Sequence, residues 1–153
     1  IFLGFMIEND EPYMIEYNCR MGDPETEVVM PRLKNDLVEL FQAVAEQKLD
    51  TIKIETDERT VCTVVAVSGG YPGDYKKGYE IHGLQDINPA DSVVYHMGTI
   101  IKDGKVVTNG GRVFCVTSYG RSIYDAVAIS KEEIEKITFT GMEYRSDIGY
   151  EFD

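Results

Sequence analysis

Residues 14–27 read MIEYNCRMGDPETE, an alternating stretch that runs directly into a turn. Alternate side chains of a strand point to the same face, so Glu16, Asn18 and Arg20 are predicted to line up there. A carboxylate and an amide oxygen suit Mg²⁺, which usually completes its coordination with water and substrate phosphates. The arginine can bind a carboxylate or phosphate through two parallel hydrogen bonds. The pattern predicts a cation site, with a solvated polar strand face as the simpler alternative.

The turn that follows, residues 22–25, combines glycine, proline and acidic side chains. Glycine permits a close backbone approach and proline fixes the bend. The turn is therefore predicted to present acids next to the cation site. The alternative interpretation is an ordinary helix entry, in which acidic residues complement the helix dipole.

The rest of the chain predicts an α+β fold. Apolar runs at 2–7 and 13–17 indicate a hairpin, and Asp36 is predicted to cap a helix over 36–48, separated by Pro31 from the apolar residues before it. Strands are predicted at 61–68, 79–82, 93–102, 105–108 and 113–118, and a second helix from Ser122 to about Ile137. Asp103-Gly104 is a strong signal for a two-residue hairpin turn. The strands are expected to form a partly closed or sandwich-like sheet.

Composition excludes several classes of partner. The 153 residues carry a formal net charge of −12, which opposes binding to a nucleic-acid backbone or an anionic membrane. No apolar run approaches the roughly 20 residues that span a bilayer. Three widely spaced cysteines and two histidines do not form a zinc motif, and they predict reduced thiols in a cytoplasmic protein.

Residues 16–27 closely resemble the signature of the phosphoribosylamine–glycine ligase family, a group of ATP-grasp enzymes. The resemblance continues in GGYPG at 69–73, GGRV at 110–113 and GMEYRSDIG at 141–149. E-x-N by itself is typical of ATP-grasp enzymes in general, whereas the G-D-P-E continuation narrows the similarity to this family. Met21 is a small departure, since Phe or Leu is expected there.

The resemblance implies that glycine is joined to 5-phosphoribosylamine with ATP, through an acyl phosphate, to give glycinamide ribonucleotide, ADP and phosphate. It implies that Glu16 and Asn18 hold Mg²⁺ or Mn²⁺. It also implies that Arg20 is a catalytic residue near the glycine carboxylate or acyl phosphate. The substrate pocket is then expected to be shaped by Arg20, Gly22, Asp23, Pro24 and Glu25.

The chain is expected to be the C-terminal portion of such an enzyme, because it opens within a strand and lacks a glycine-rich nucleotide loop. Residues 1–54 are predicted to end an ATP-grasp domain, and 55–153 to form a small, mostly β C-terminal domain with one or two helices. The missing N-terminal part is the expected partner, and the isolated chain is expected to be inactive. The alternatives are another ATP-grasp carboxylate–amine ligase or a carboxylase, or, for 55–153, a non-catalytic pocket-closing or interaction module.

Overall fold

The chain begins with a two-stranded antiparallel hairpin. The computed structural model describes residues 1–152, and in it β1 (Phe2–Glu8) pairs with β2 (Glu11–Asn18). Asn9 and Asp10 connect the strands with φ values of 52° and 63°. Such left-handed backbone is what a two-residue hairpin turn requires. Nearly every side chain of the hairpin is exposed, so it has no core of its own.

A helical segment follows, and its break at Pro31 lies where the sequence predicts it. α1 (Thr26–Val29) gives way to a 3₁₀ turn, Met30–Arg32, that contains Pro31. α2 (Leu37–Ala45) is capped by Asp36, whose carboxylate accepts from the backbone N–H of Val38 at 2.7 Å. The helix ends at Ala45 rather than at 48, and Gln47 has turned to a φ of 58°.

The remaining strands build the main sheet and a second hairpin. They are β3 (Thr60–Ser68), β4 (Ser92–His96), β5 (Thr99–Lys102), β6 (Lys105–Thr108), β7 (Arg112–Gly120) and β8 (Met142–Tyr144). The main sheet is antiparallel in the order β4-β7-β3-β8, while β5 and β6 pair with each other. The turn between them is Asp103-Gly104, both with positive φ, as predicted.

α3 (Ile123–Glu135) covers one face of the main sheet and closes the core. Ser122 caps it by accepting from the backbone N–H of Asp125 at 3.2 Å. Alternate residues of β3 are buried beneath the helix, as a strand with one covered face requires. The fully buried apolar side chains are Val64, Ala66, Val113, Phe114, Cys115, Val116, Ala126, Ile134 and Ile137. The predicted mixture of strands and helices is confirmed.

Three predicted details are wrong. The sheet is neither partly closed nor a sandwich, because α3 rather than a second sheet covers it. Residues 93–102 form two strands, because the N–H groups of Met97 and Gly98 both turn to the carbonyl of Val113, at 3.0 and 2.9 Å. Residues 79–82 make isolated bridges, at Glu80 and His82, instead of a strand.

No helix within residues 1–152 combines the length and the apolar character that crossing a membrane requires.

Candidate functional site

The predicted cation ligands Glu16 and Asn18 lie side by side on β2. Asn18 Nδ2 donates to Glu16 Oε1 at 3.3 Å, so the two side chains share one face of the strand. Glu16 pairs with Gly4 of β1, and a Cβ on that glycine would lie 3.2 Å from Glu16 Cγ. The glycine therefore leaves room for the carboxylate, which stays exposed to solvent.

This pair fits a hard divalent cation with open coordination positions. Two neighbouring oxygen-bearing side chains can supply part of an oxygen shell, and Mg²⁺ takes the rest from water and phosphates. Over residues 1–152 no group of three or more His, Cys, Asp or Glu side chains could hold a metal. A site closed by protein ligands alone, as structural zinc requires, is therefore not formed by the described residues.

Arg20 does not continue the strand pattern, so its predicted alignment with Glu16 and Asn18 is wrong. β2 ends at Asn18, and Arg20 lies in the bend that follows. Its Nη1 donates to the carbonyl of Met21 at 2.8 Å, because the chain turns back there toward the acidic turn. The guanidinium keeps further N–H groups for a ligand, and its catalytic role stays a prediction.

The acidic turn, residues 22–25, is tightly built around Gly22. The backbone N–H and Oγ1 of Thr26 both donate to the carbonyl of Gly22, at 3.0 and 2.6 Å. A Cβ on Gly22 would collide with the Glu25 carboxylate and lie 2.9 Å from the Phe2 ring. Glycine is needed at this position because both neighbours approach so closely. The turn is thereby fixed against the start of β1.

Asp23 connects the acidic turn to the main sheet. Its two carboxylate oxygens accept from Nη1 and Nη2 of Arg112, both at 2.8 Å. Paired hydrogen bonds of this kind are the strong, oriented form of an arginine–carboxylate contact. Sequence reasoning missed Arg112 as a site residue, because its partner lies 89 positions away and no local pattern links the two.

Behind this ion pair lies an open polar cavity of about 600 Å³. Its polar lining includes Asp23, Glu27, His96, Asn109 and Arg112. Glu27 Oε2 is the one buried side-chain oxygen of residues 1–152 that has no hydrogen-bond partner. Burial raises the pKa of Cys115, and the charge of Glu27 adds to the shift. Glu27 belongs to the acidic stretch recognised in the sequence but was not predicted as a site residue, and the sequence does not reveal that its Oε2 is buried.

The segments before and after α2 are also tied to the sheet. Tyr119 of β7 donates its hydroxyl to the carbonyl of Pro31 at 2.8 Å. Arg59 lies over the Tyr119 ring, with 4.2 Å from its guanidinium carbon to the ring centroid. Arg59 also makes paired hydrogen bonds to Asp57, at 3.1 and 2.9 Å, which hold the pKa of that carboxyl well below its usual range.

A model of the family described as phosphoribosylglycinamide synthetase, C domain, matches residues 61–151, more than half of the chain. This chain belongs to that family. The matched residues run from β3 to the last 3₁₀ turn, and they include Arg112, Tyr119 and α3. The family resemblance expected from the sequence motifs is confirmed.

Relatives of the family are similar along almost the whole chain. The phosphoribosylamine–glycine ligase of Caldanaerobacter subterraneus subsp. tengcongensis is 47% identical over 97% of this chain, and that of Pseudomonas aeruginosa is 46% identical over 98%. Each alignment covers 35% of the relative, so the chain spans about a third of the length of these ligases. The trifunctional purine biosynthetic protein adenosine-3 of Gallus gallus is 45% identical over 98% of the chain, which covers 15% of that protein.

Two solved structures share the fold. The crystal structure of phosphoribosylamine–glycine ligase from Thermotoga maritima matches with a TM-score of 0.72 and 35% identity, over 95% of this chain and 35% of that one. Urea carboxylase from Kluyveromyces lactis matches with a TM-score of 0.61 over 94% of this chain and 13% of its own. At 18% identity the second likeness shows the fold alone.

Proposed function

We propose that this chain is the C-terminal part of an ATP-dependent ligase of cytoplasmic purine synthesis. The complete enzyme joins glycine to 5-phosphoribosylamine, through an acyl phosphate, and releases glycinamide ribonucleotide, ADP and phosphate. The observation that carries the proposal is the juxtaposition of Glu16 and Asn18, 3.3 Å apart, beside a turn that the family domain anchors. The relatives named phosphoribosylamine–glycine ligase support the choice of substrates.

Glu16 and Asn18 would hold Mg²⁺ or Mn²⁺ through their oxygens. When bound, the ion would neutralise the charge of the ATP phosphates as the γ-phosphoryl group is transferred. Arg20 follows directly and has N–H groups left to bind the glycine carboxylate or its acyl phosphate. Its bond to the Met21 carbonyl restrains the guanidinium within the bend that follows β2.

The acidic turn shapes the pocket for the amine substrate in this proposal. Gly22 and Pro24 set the path of the backbone, and Glu25 presents a carboxylate beside Gly22. Asp23 contributes in a different way from the one expected, because both of its oxygens already accept from Arg112. In the pocket, Asp23 would fix the position of the acidic turn through Arg112 and would not contact the amine.

The hairpin supports an ATP-grasp edge completed by the N-terminal part of the same enzyme. Tyr17 is 73% exposed on the face of β2 opposite the cation ligands, and Phe5 of β1 is 49% exposed. Ile15, at the irregularity in the hairpin pairing, is 62% exposed. A two-stranded hairpin is marginal alone, and exposed apolar patches mark surfaces that another element covers. The boundary between residues 1–54 and 55–153 remains a prediction.

For residues 55–153 we propose a non-catalytic, pocket-closing role. Both histidines of this region have local polar neighbours: His82 lies 3.9 Å from Glu80, and His96 Nδ1 is 2.9 Å from Thr99 Oγ1. The contact of His82 with Glu80 contains no nucleophile, and the contact of His96 with the Thr99 hydroxyl is an exposed side-chain hydrogen bond three residues apart. The domain then contributes to the reaction by holding the acidic turn in place through the contact of Arg112 with Asp23.

Ligation by the complete protein tests the proposal. Product should form only when ATP, glycine, 5-phosphoribosylamine and a divalent cation are all present, and a chelator should abolish it. ATP hydrolysis that depends on bicarbonate, with no amide product, would instead identify a carboxylase. The isolated 153-residue chain should show neither turnover nor tight ATP binding, and measurable ligation by it would contradict the fragment assignment.

A further inference from the structure

Arg112 is the first residue of β7, and the sheet is irregular at that point. Opposite it on β3, the pairing shifts register between Ala66 and Val67, so that Val67 faces Arg112 and Ala66 faces Phe114. A β-bulge of this kind redirects the side chain of the residue beside it. The irregularity allows Arg112 to reach out of the sheet to the acidic turn.

The backbone that carries Arg112 is held firmly on both sides. Ser68 donates its N–H to the carbonyl of Gly111 at 2.8 Å and its Oγ to the carbonyl of Gly110 at 2.9 Å. Gly111 lies against the ring of Tyr71 with no space for a Cβ. The guanidinium therefore extends from a rigid support, the condition under which a supporting residue can fix a neighbouring site.

The acidic turn contacts Arg112 through the carboxylate of Asp23. Both Asp23 oxygens accept hydrogen bonds from Arg112 at 2.8 Å. The next residue, Pro24, lies in a groove whose lining includes Thr63, Val67 and Arg112. The side chains of Arg112 and Asp23 are 36% and 40% exposed, so the pair itself contributes little to folding stability. The pair instead fixes the orientation of the acidic turn relative to the main sheet.

We infer that Arg112 is a positioning residue for the ligation, acting through Asp23 to hold the acidic turn next to the cation ligands. The inference rests on the proposed function. It assigns to Asp23 an anchoring role in place of direct contact with the amine. A displacement of about 1 Å in a substrate-positioning element can cost up to about 100-fold in rate, so loss of the anchor should be measurable.

The test uses the complete ligase and the variants Arg112→Gln, Arg112→Lys, Asp23→Asn and the double variant Arg112→Gln/Asp23→Asn. Lys105→Gln is the control, because Lys105 makes an exposed ion pair with Glu80, at 2.7 Å, and neither residue lines the groove that holds Pro24. The control is expected to retain wild-type kinetics. Each variant is measured for kcat and for KM of the amine and of ATP, together with its Tm.

Arg112→Gln should lower kcat/KM for 5-phosphoribosylamine by about 10- to 100-fold, with the KM for ATP changed less than about twofold. Arg112→Lys should be intermediate, because lysine keeps the charge but cannot make the paired hydrogen bonds. Asp23→Asn should match Arg112→Gln, and the double variant should be no worse than the worse single one. The Tm should fall by less than about 2 °C in every case.

Arg112→Gln kinetics equal to wild type would overturn the inference. So would multiplicative losses in the double variant, which would show that Asp23 acts on the substrate independently of Arg112. A loss shared equally by ATP and the amine and accompanied by a large fall in Tm would show a merely structural role. If the wild-type protein does not ligate glycine, the proposed function fails as well; if it does and Arg112→Gln matches it, only the positioning role fails.

Discussion

Two regions differ in how they are supported: the hairpin β1–β2 with the segment that follows it, residues 19–32, and the main sheet with α3. Phe114 and Val116 of the main sheet are completely buried, whereas Tyr17 of the hairpin is 73% exposed. The sheet and α3 carry the matched family domain, while the candidate cation ligands lie on the hairpin. The candidate cation ligands thus occupy the region that contributes least to its own stability. A stable core in one region and exposed cation ligands in the other are what the proposed completion of the site by another part of the enzyme requires.

The contacts that join the two regions are few and directional. They include the pair between Asp23 and Arg112 and the hydrogen bond from Tyr119 to Pro31. A backbone bond from Asp57 to Arg32, at 2.7 Å, ties the same segment to the residues just before β3. Each is polar, with a defined geometry, so it fixes orientation better than it adds stability.

Truncation of the core should give the largest effect on stability. Phe114→Ala removes a fully buried ring that meets Phe139 edge-on at a centroid distance of 6.1 Å. The free energy of unfolding of the 153-residue chain should fall by about 3–5 kcal/mol. Tyr17→Ala, on the exposed hairpin, should change it by less than about 0.5 kcal/mol. Chemical denaturation measures both, and equal losses would remove the contrast between the regions.

Tyr119→Phe should have an intermediate effect, because it deletes one hydrogen bond between the regions. Loss of the bond to the Pro31 carbonyl should reduce the free energy of unfolding by about 1 kcal/mol. Tyr17→Phe is the matched control, since it removes a hydroxyl from the exposed hairpin and should be neutral. A neutral Tyr119→Phe would show that this contact does not couple the two regions.

The smallest predicted effect concerns pH. Arg59 holds the pKa of Asp57 below its usual range, so the ionised carboxylate stabilises the folded chain above about pH 4. That contribution declines as the pH falls below the unfolded-state pKa toward the lower folded-state pKa. Asp57→Asn should therefore lower the Tm near pH 7, by no more than about 3 °C, and the difference from wild type should shrink below pH 4. A difference that grows on acidification would contradict this assignment.

Local patterns in the sequence predicted local structure well. The Asp36 cap, the break at Pro31 and the Asp103-Gly104 turn each depend on residues close together in the chain. The pairing of Glu16 with Asn18 was predictable for the same reason, because strand alternation places them on one face.

Contacts between distant residues were not predictable in this way. Arg112 meets Asp23 only because the fold brings β7 to the acidic turn, and no periodicity relates positions 89 apart. The run at 93–102 was predicted as one strand although it contains Gly98, and the break arises where Gly98 packs against Gly110 without space for a Cβ. Arg20 was misplaced because alternation does not reveal where a strand ends.

The kinetics of Glu16→Gln in the complete ligase test the central claim, that the hairpin carries the cation site, most directly. Glu11→Gln is the matched control, because Glu11 begins the same strand, at the turn end of the hairpin. We expect Glu16→Gln to lower kcat by roughly 100-fold or more and to require more Mg²⁺ for its residual activity. Glu11→Gln should behave as wild type. A Glu16→Gln enzyme that ligates glycine at the wild-type rate with unchanged dependence on Mg²⁺ would contradict the account.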